Sequence, residues 1–387
     1  MAPHKLLDTH IHLWPSTSTS PSNHAWMTPG HILAKRHGIS DYKAAVSASP
    51  VQPTAFIYVE TDRYLPTPSP PVDLAQLRDL SNDEQKNARA RELLEHWAHE
   101  PLEELRFLRR IVEGTPEDAE TDGFDAGDGD CMVGCVIWAP FHLAPQLFDM
   151  YLDIAERVAG PRLWGRVVGF RYLLQGIEEE DILRKLLQSE EWKTNILRLR
   201  SGRGGQGWTF DVGVDAHRGA VGQVEAAADM VEMVREREEK EGGKGRVKFV
   251  LNHLCKPDLS SGAGTGLAAS EGWLRAVRRL AAVPGVYMKL SGALNEFAPD
   301  PTPEDVDGIA ARMDFYGRNV FDLFWAPRVM FGSDWPVCNL GGPRGEQGNW
   351  ALWREVVGSL MERCGITDVE DVWWKTGCEA YGVDIQL

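Results

Sequence analysis

No run of about 18 consecutive apolar residues occurs in the 387-residue chain, so no segment reads as a membrane span. Basic clusters are also lacking. Lys and Arg number 41 against 57 Asp and Glu, a formal net charge of −16, which argues against a nucleic-acid or anionic-membrane partner. The N-terminal MAPHKLLDTHIHLW reaches a charged motif too early for a signal peptide. The six cysteines, at 131, 135, 255, 338, 364 and 378, show no zinc-knuckle or disulfide-framework spacing. Free buried thiols in a reducing cytoplasm are the expectation. No Gly-x-Gly-x-x-Gly follows the first apolar run, which weakens a dinucleotide-binding reading.

What the chain does have is a repeating apolar rhythm. Short Val/Ile/Leu-rich runs fall at 6–13, 55–60, 131–138, 166–172, 208–214, 246–253, 285–291 and 328–334. Helical stretches separate them, with apolar residues at mixed three and four spacing over 83–112, 219–240, 270–282, 303–325 and 346–363. Strand–helix alternation points to a parallel sheet, and eight strands favour an α/β fold closed as a (β/α)8 TIM-type barrel. The chain reads as a single domain over 1–387, with an insertion at about 61–130. Within it, 61–82 is Pro-rich and 113–130 is acidic and Gly-rich, which suggests a mobile surface loop. Residues 258–270 read as a further flexible loop.

Three signals carry chemistry. In Asp8-Thr9-His10-Ile11-His12, strand alternation puts His10 and His12 on one face, about 7 Å apart, where two imidazoles can converge on a cation or a substrate group. The same alternation puts Asp8 on that face, as a carboxylate orienting an imidazole or as the acceptor of a buried hydrogen bond. Asp334 ends the last apolar run, and His253 ends the sixth. Barrel enzymes draw their catalytic groups from this C-terminal rim, where a carboxylate binds metal or takes a proton from attacking water. Each signal alone has a plain structural explanation, such as a helix cap or a satisfied core histidine. Their common location at strand ends is what gives them weight.

In order along the chain, DTHIHLW, VVGFRYLLQG, FVLNHLCKP, VYMKLSG and VMFGSDWPV resemble the amidohydrolase superfamily, in its amidohydrolase-related (amidohydrolase 2) branch. Within that branch the chain is similar to L-rhamnono-gamma-lactonase-like sugar lactonases, a likeness helped by HLWPSTSTSPSNHAWMTPGH and YVETDRYL. The resemblance implies hydrolysis of a sugar-acid lactone, an aldonolactone such as L-rhamnono-1,4-lactone, by base-activated water. It implies His10 and His12 as ligands to metal or substrate, His253 as the residue orienting substrate or water, and Asp334 as the base. The family's fifth-strand histidine has only a displaced counterpart, His217. Where two-metal members carry a lysine or glutamate on the fourth strand, Arg171 stands, which argues against a binuclear centre. One divalent metal (Zn²⁺) held by His10, His12, His217 and Asp334 is one option; action without metal, with Arg171 and the imidazoles facing the oxyanion, is the other.

Asn23, Trp26, Glu60, Arg63, Tyr172, Gln175 and Asn252 sit near strand ends or in the first loop and are the candidates for hydroxyl recognition. Trp14 and Trp335 are candidate walls, and His24, His31 and His37 lie within reach of the rim. The expected partner is a small molecule, and self-association stays open. Two other readings remain: a metal-dependent decarboxylase of an aromatic or enoic acid on the same barrel, and a barrel that binds without catalysing.

Overall fold

The computed structural model of the chain describes residues 5–72, 84–242, 245–260 and 267–385. The eight apolar runs are eight parallel strands: β1 (Leu7–Ile11), β2 (Ala55–Val59), β3 (Met132–Trp138), β4 (Val167–Arg171), β5 (Thr209–Val212), β6 (Lys248–Leu251), β7 (Val286–Leu290) and β8 (Val329–Phe331). Each pairs with the next in chain order from β1 to β8. The ring is drawn shut along the β8–β1 seam. Thr9 Oγ1 donates to the Phe331 carbonyl at 2.6 Å. The amides of Asp334 and His12 donate to the carbonyls of His10 and Trp335 at 2.9 and 2.8 Å. This is the expected (β/α)8 barrel.

The strands are buried on both faces, which is why they read as near-continuous apolar runs. One face packs on the helical layer, through Phe56, Tyr58, Phe170, Phe210, Phe249 and Phe331. The other encloses Leu7, Ile57, Val59, Val136, Val250 and Met330, with Ala380 and Tyr381 of the closing helix Thr376–Tyr381 packed against them. Seven of the eight strands stop one to three residues before the sequence runs do, and β3 ends with its run at Trp138. Those last residues leave the ladder and form the rim.

Helices at Ala220–Glu241, Leu267–Ala282, Val306–Phe324 and Asn349–Arg363 match the periodic stretches closely. The stretch 83–112 is instead two helices, Glu84–Trp97 and His99–Glu113, broken at Ala98. Pro101 has no amide proton to return to the preceding turn, so one continuous helix cannot pass through it. The helices Pro145–Trp164, Glu180–Leu187 and Glu190–Arg198 were not singled out from the sequence.

The acidic stretch 113–130 is more ordered than its composition suggests. Asp122, 1% exposed, takes a two-pronged hydrogen bond from Arg110 at 3.0 and 2.8 Å, and Asp118 caps the short helix Ala119–Asp122. Of the other expected loops, 73–83 and 261–266 lie outside the described residues.

Candidate active site

β1 leaves regular register between Asp8 and Ile11. That irregularity undoes simple alternation and corrects the expected facing of Asp8. Its carboxylate lies on the helix side, accepting from Tyr42 Oη at 2.8 Å, Trp350 Nε1 at 2.9 Å and the Ser333 amide at 2.8 Å. His10 and His12 stay together on the inner side, their Nε2 atoms 3.2 Å apart.

Asp334 reaches this pair from just beyond β8. Its Oδ1 lies 3.5 Å from His10 Nε2, 3.3 Å from His12 Nε2 and 3.8 Å from His253 Nε2. The four groups predicted at strand ends are therefore gathered in one place. The backbone there is unusual, with φ 60° at Asp334 and φ 55° at His253, a region non-glycine residues seldom occupy. Gly292, after β7, completes the tight fit. It has φ +62°, and a Cβ there would fall 2.5 Å from His253 Nδ1 and 2.8 Å from Asp334 Oδ2. Only a residue with no side chain lets the β7 rim pass so close.

Electrostatics set the protonation states. Burial alone would raise the Asp334 carboxyl, but His253, His12 and Lys256 outweigh it and hold the group below its ordinary value. Burial pushes His253 down to about 3, and lowers His10 well below the usual imidazole range. At neutral pH the Asp334 carboxylate is thus ionised beside the neutral imidazoles of His10 and His253.

The set fits a single divalent cation. His10, His253 and Asp334 each offer one ligand atom, and those atoms lie within 4.8 Å of one another. Three imidazole nitrogens and one carboxylate oxygen are a zinc donor set, for which bond lengths of about 2.0–2.2 Å put tetrahedral ligand atoms ~3.3 Å apart. The His10–His12–Asp334 separations match that edge. His12 Nδ1 donates to the Val59 carbonyl at 2.8 Å, which leaves its Nε2 lone pair directed inward, and His253 Nδ1 lies 2.8 Å from Ser291 Oγ, a group that can accept its proton. His10 differs. Its Nδ1 meets Lys289 Nζ at 3.3 Å, and Lys289 is itself paired with Asp211 at 2.8 Å. A lysine donating there assigns the His10 proton to Nε2, so a metal at this spot must displace a proton.

His217 does not join the cluster. Its Nδ1 lies 2.9 Å from Glu296 and its Nε2 3.4 Å from Asp258, so both ring nitrogens face carboxylates, and the hydrogen bond to Glu296 raises its pKa. The chain leaves β5 and turns away before position 217, so strand-end proximity overstated its reach.

Above the cluster opens a cavity of about 540 Å³ lined by His12, His253, Asp334 and Arg171. Arg171 is 4% exposed and gripped by Glu60: Nε donates to the Glu60 carboxylate and Nη2 to its carbonyl. Trp26 and Gln175 also line the cavity, as expected of substrate-binding residues. The other five candidates do not. Asn23 donates to Glu100 at 3.1 Å, and Glu60 is spent on Arg171. Arg63 lies beside Glu100 and Glu104, at 3.7 and 3.5 Å. Tyr172 packs on His142 and Trp192, and Asn252 is fully buried at the end of β6. Nearness to a strand end in sequence does not tell which way a loop side chain turns.

Several lining residues escaped the sequence reading, among them Thr61, Asp62, Asp215, Lys256 and Asn295. Lys256 alone carried a signal, in the HLCKP motif three residues after His253. Trp14 and His31 do line the cavity. Trp335 instead packs on His37 and Tyr42, and His24 and His37 lie against Trp14.

Among known proteins, residues 214–362 match the family described as Amidohydrolase. L-rhamnono-gamma-lactonase of Scheffersomyces stipitis is 24% identical over 391 residues, covering 99% of this chain and all of that one. L-fucono-1,5-lactonase of Burkholderia ambifaria is 40% identical over 110 residues, covering 28% of this chain and 33% of that one. A crystal structure of an amidohydrolase from Burkholderia multivorans with bound zinc superposes with a TM-score of 0.62 at 22% identity, covering 98% of this chain and all of that one. Residues 214–362 of this chain thus match the amidohydrolase family's model, and nearly the whole chain shares the barrel fold of that structure.

Proposed function

We propose that the chain is a lactonase that opens a sugar-acid lactone, an aldonolactone such as L-rhamnono-1,4-lactone, to the free acid. One observation carries this reading: an ionised, buried Asp334 ringed by three imidazoles at the floor of a cavity walled by Trp14, Trp26, Gln175 and Arg171. The named relatives, both sugar lactonases, support the substrate class.

Ring opening needs a deprotonated water, a partner for the oxyanion and a proton for the departing ring oxygen. Asp334 takes the proton from water as it attacks the acyl carbon, then returns it to the leaving oxygen. His253, held by Ser291, keeps the water and carbonyl in line. Arg171, fixed by Glu60, presents its remaining guanidinium edge to the cavity as a donor to carbonyl or hydroxyl oxygens. When a divalent ion is bound, His10, His12, His253 and Asp334 hold it, and it supplies Lewis-acid polarisation of the carbonyl. Trp14 and Trp26 offer apolar faces to the sugar ring, and Gln175 and Asn295 offer amides to its hydroxyls.

Among the described residues no helix is long and apolar enough to cross a membrane, and all six cysteines are free. Those thiols support a cytoplasmic enzyme of carbohydrate metabolism acting on a small molecule.

The test is acid release from a panel of aldonolactones in weak buffer, with and without chelator, alongside metal analysis. Steady acid release from at least one sugar lactone is the expected result. Release of CO₂ from an aromatic or enoic acid, with no lactone opened, transfers the barrel to the decarboxylase reading.

A further inference from the structure

Four consecutive residues after β6 have left-handed backbone: His253, Leu254, Cys255 and Lys256, at φ 55°, 53°, 57° and 47°. None is glycine. Such backbone crowds a Cβ against its own carbonyl, and a run of four persists only where the surroundings impose it. The restraints are visible. The Lys256 amide donates to the His253 carbonyl at 2.7 Å, the Cys255 carbonyl accepts from the Ala216 amide at 3.0 Å, and the Leu254 carbonyl accepts from Trp273 Nε1 at 2.8 Å. Leu254 and Cys255 are fully buried and hold the turn down.

The result is a four-residue turn whose apolar middle faces the core and whose two polar ends, His253 and Lys256, both line the cavity. Lys256 is 7% exposed, yet its ammonium is only loosely partnered. Asp215 and Glu296 lie 4.0 and 3.9 Å away, beyond hydrogen-bond reach. Their other oxygens are engaged elsewhere, Glu296 Oε2 by Arg218 at 2.8 Å and His217 at 2.9 Å, Asp215 Oδ1 by the amides of His217 and Arg218 at 2.9 and 2.7 Å, while Glu296 Oε1, on the Lys256 side, has no hydrogen-bond partner among the described residues. Arg171, by contrast, is gripped by Glu60. A strained turn that delivers a buried cation into the cavity, with no carboxylate of the described residues within hydrogen-bond distance of it, leaves its donors free to meet an anion from outside.

We propose that Lys256 is a catalytic residue that contacts the acyl oxygens of the substrate, receiving negative charge as the carbonyl becomes an oxyanion and then a carboxylate. This rests on the lactonase reading for its reaction but not for its binding chemistry. Water adds to the acyl carbon, the C–O ring bond breaks, one of the water's protons passes through Asp334 to the ring oxygen, the other is released to solvent as the acid ionises, and the product carboxylate faces the ammonium.

The test uses the full chain as wild type, Lys256→Met and Lys256→Arg. On whichever lactone the wild type opens, Lys256→Met is expected to lose about 10²-fold in kcat, as for a removed oxyanion donor, with KM changed far less, and Lys256→Arg to retain more of the rate. Calorimetry with L-rhamnonate and the uncharged L-rhamnitol then isolates the charge contact. Wild type and Lys256→Arg should bind the anion at least about tenfold more tightly than the polyol, whereas Lys256→Met should lose the difference. An anion preference kept by Lys256→Met, or absent from the wild type, overturns the proposal. If the wild type opens no lactone, the functional reading fails, and the anion–polyol comparison still decides the role of Lys256.

Discussion

Two buried aspartates stand on opposite sides of the β8–β1 seam, and their surroundings give them opposite characters. Asp8, 0% exposed, is held by neutral donors: a phenol, an indole and a backbone amide. Burial dominates there and raises its pKa despite those hydrogen bonds. Asp334, 3% exposed, faces imidazoles and Lys256, and there the neighbouring groups overcome burial and lower its pKa. Residue type and burial are shared; the charge and proton capacity of the neighbours decide which carboxylate is held as a brace and which is ionised, as the base proposed above must be.

The largest effect that would break this contrast is at Asp334. Asp334→Asn should reduce lactone turnover by about 10³-fold, far out of proportion to any loss in thermal midpoint, because it removes the proposed base while an amide oxygen keeps its place among the imidazoles. Next comes Gly292→Ala. Its methyl would press on His253 and Asp334, so turnover should fall by about 10²-fold through misplacement alone. Asp8→Asn should do the reverse of Asp334→Asn. Turning an acceptor into a donor beside Tyr42, Trp350 and Ser333 should cost about 2 kcal/mol in denaturant unfolding and change kcat by less than about tenfold.

The smallest expected effect is a pH dependence behind the cavity wall. Burial pushes His24 down to about 2 and His37 to about 4, both below the usual imidazole value of 6.5. Each is neutral in the fold and gains a proton more readily when unfolded. Their contribution to stability is therefore complete above pH 6.5 and shrinks as pH falls toward those lower values. Unfolding midpoints followed by tryptophan fluorescence should drop over that window, and less so in His24→Gln.

The same contrast shows what the sequence made legible. All eight strands were readable, because a barrel strand buried on both faces reads as a near-continuous apolar run. His10, His12, His253 and Asp334 were readable because residues at the ends of such runs have one place to go. Asp8 was misplaced because a register irregularity inside β1 breaks period-two alternation without leaving a mark in composition. The cavity wall was readable only in part. Trp26 and Gln175 line it, but Glu60, Arg63 and Asn252, equally close to strand ends, turn into ion pairs or the core. Lys256 depends on a left-handed turn that no propensity predicts.

Isotope transfer tests the central claim most directly. In ¹⁸O-enriched water, wild-type turnover of a sugar lactone should place one ¹⁸O in the product's carboxyl group and none in the freed ring hydroxyl, at a rate that falls about 10³-fold in Asp334→Asn. Label in the hydroxyl, or an Asp334→Asn rate within tenfold of wild type, would contradict water attack driven by this carboxylate.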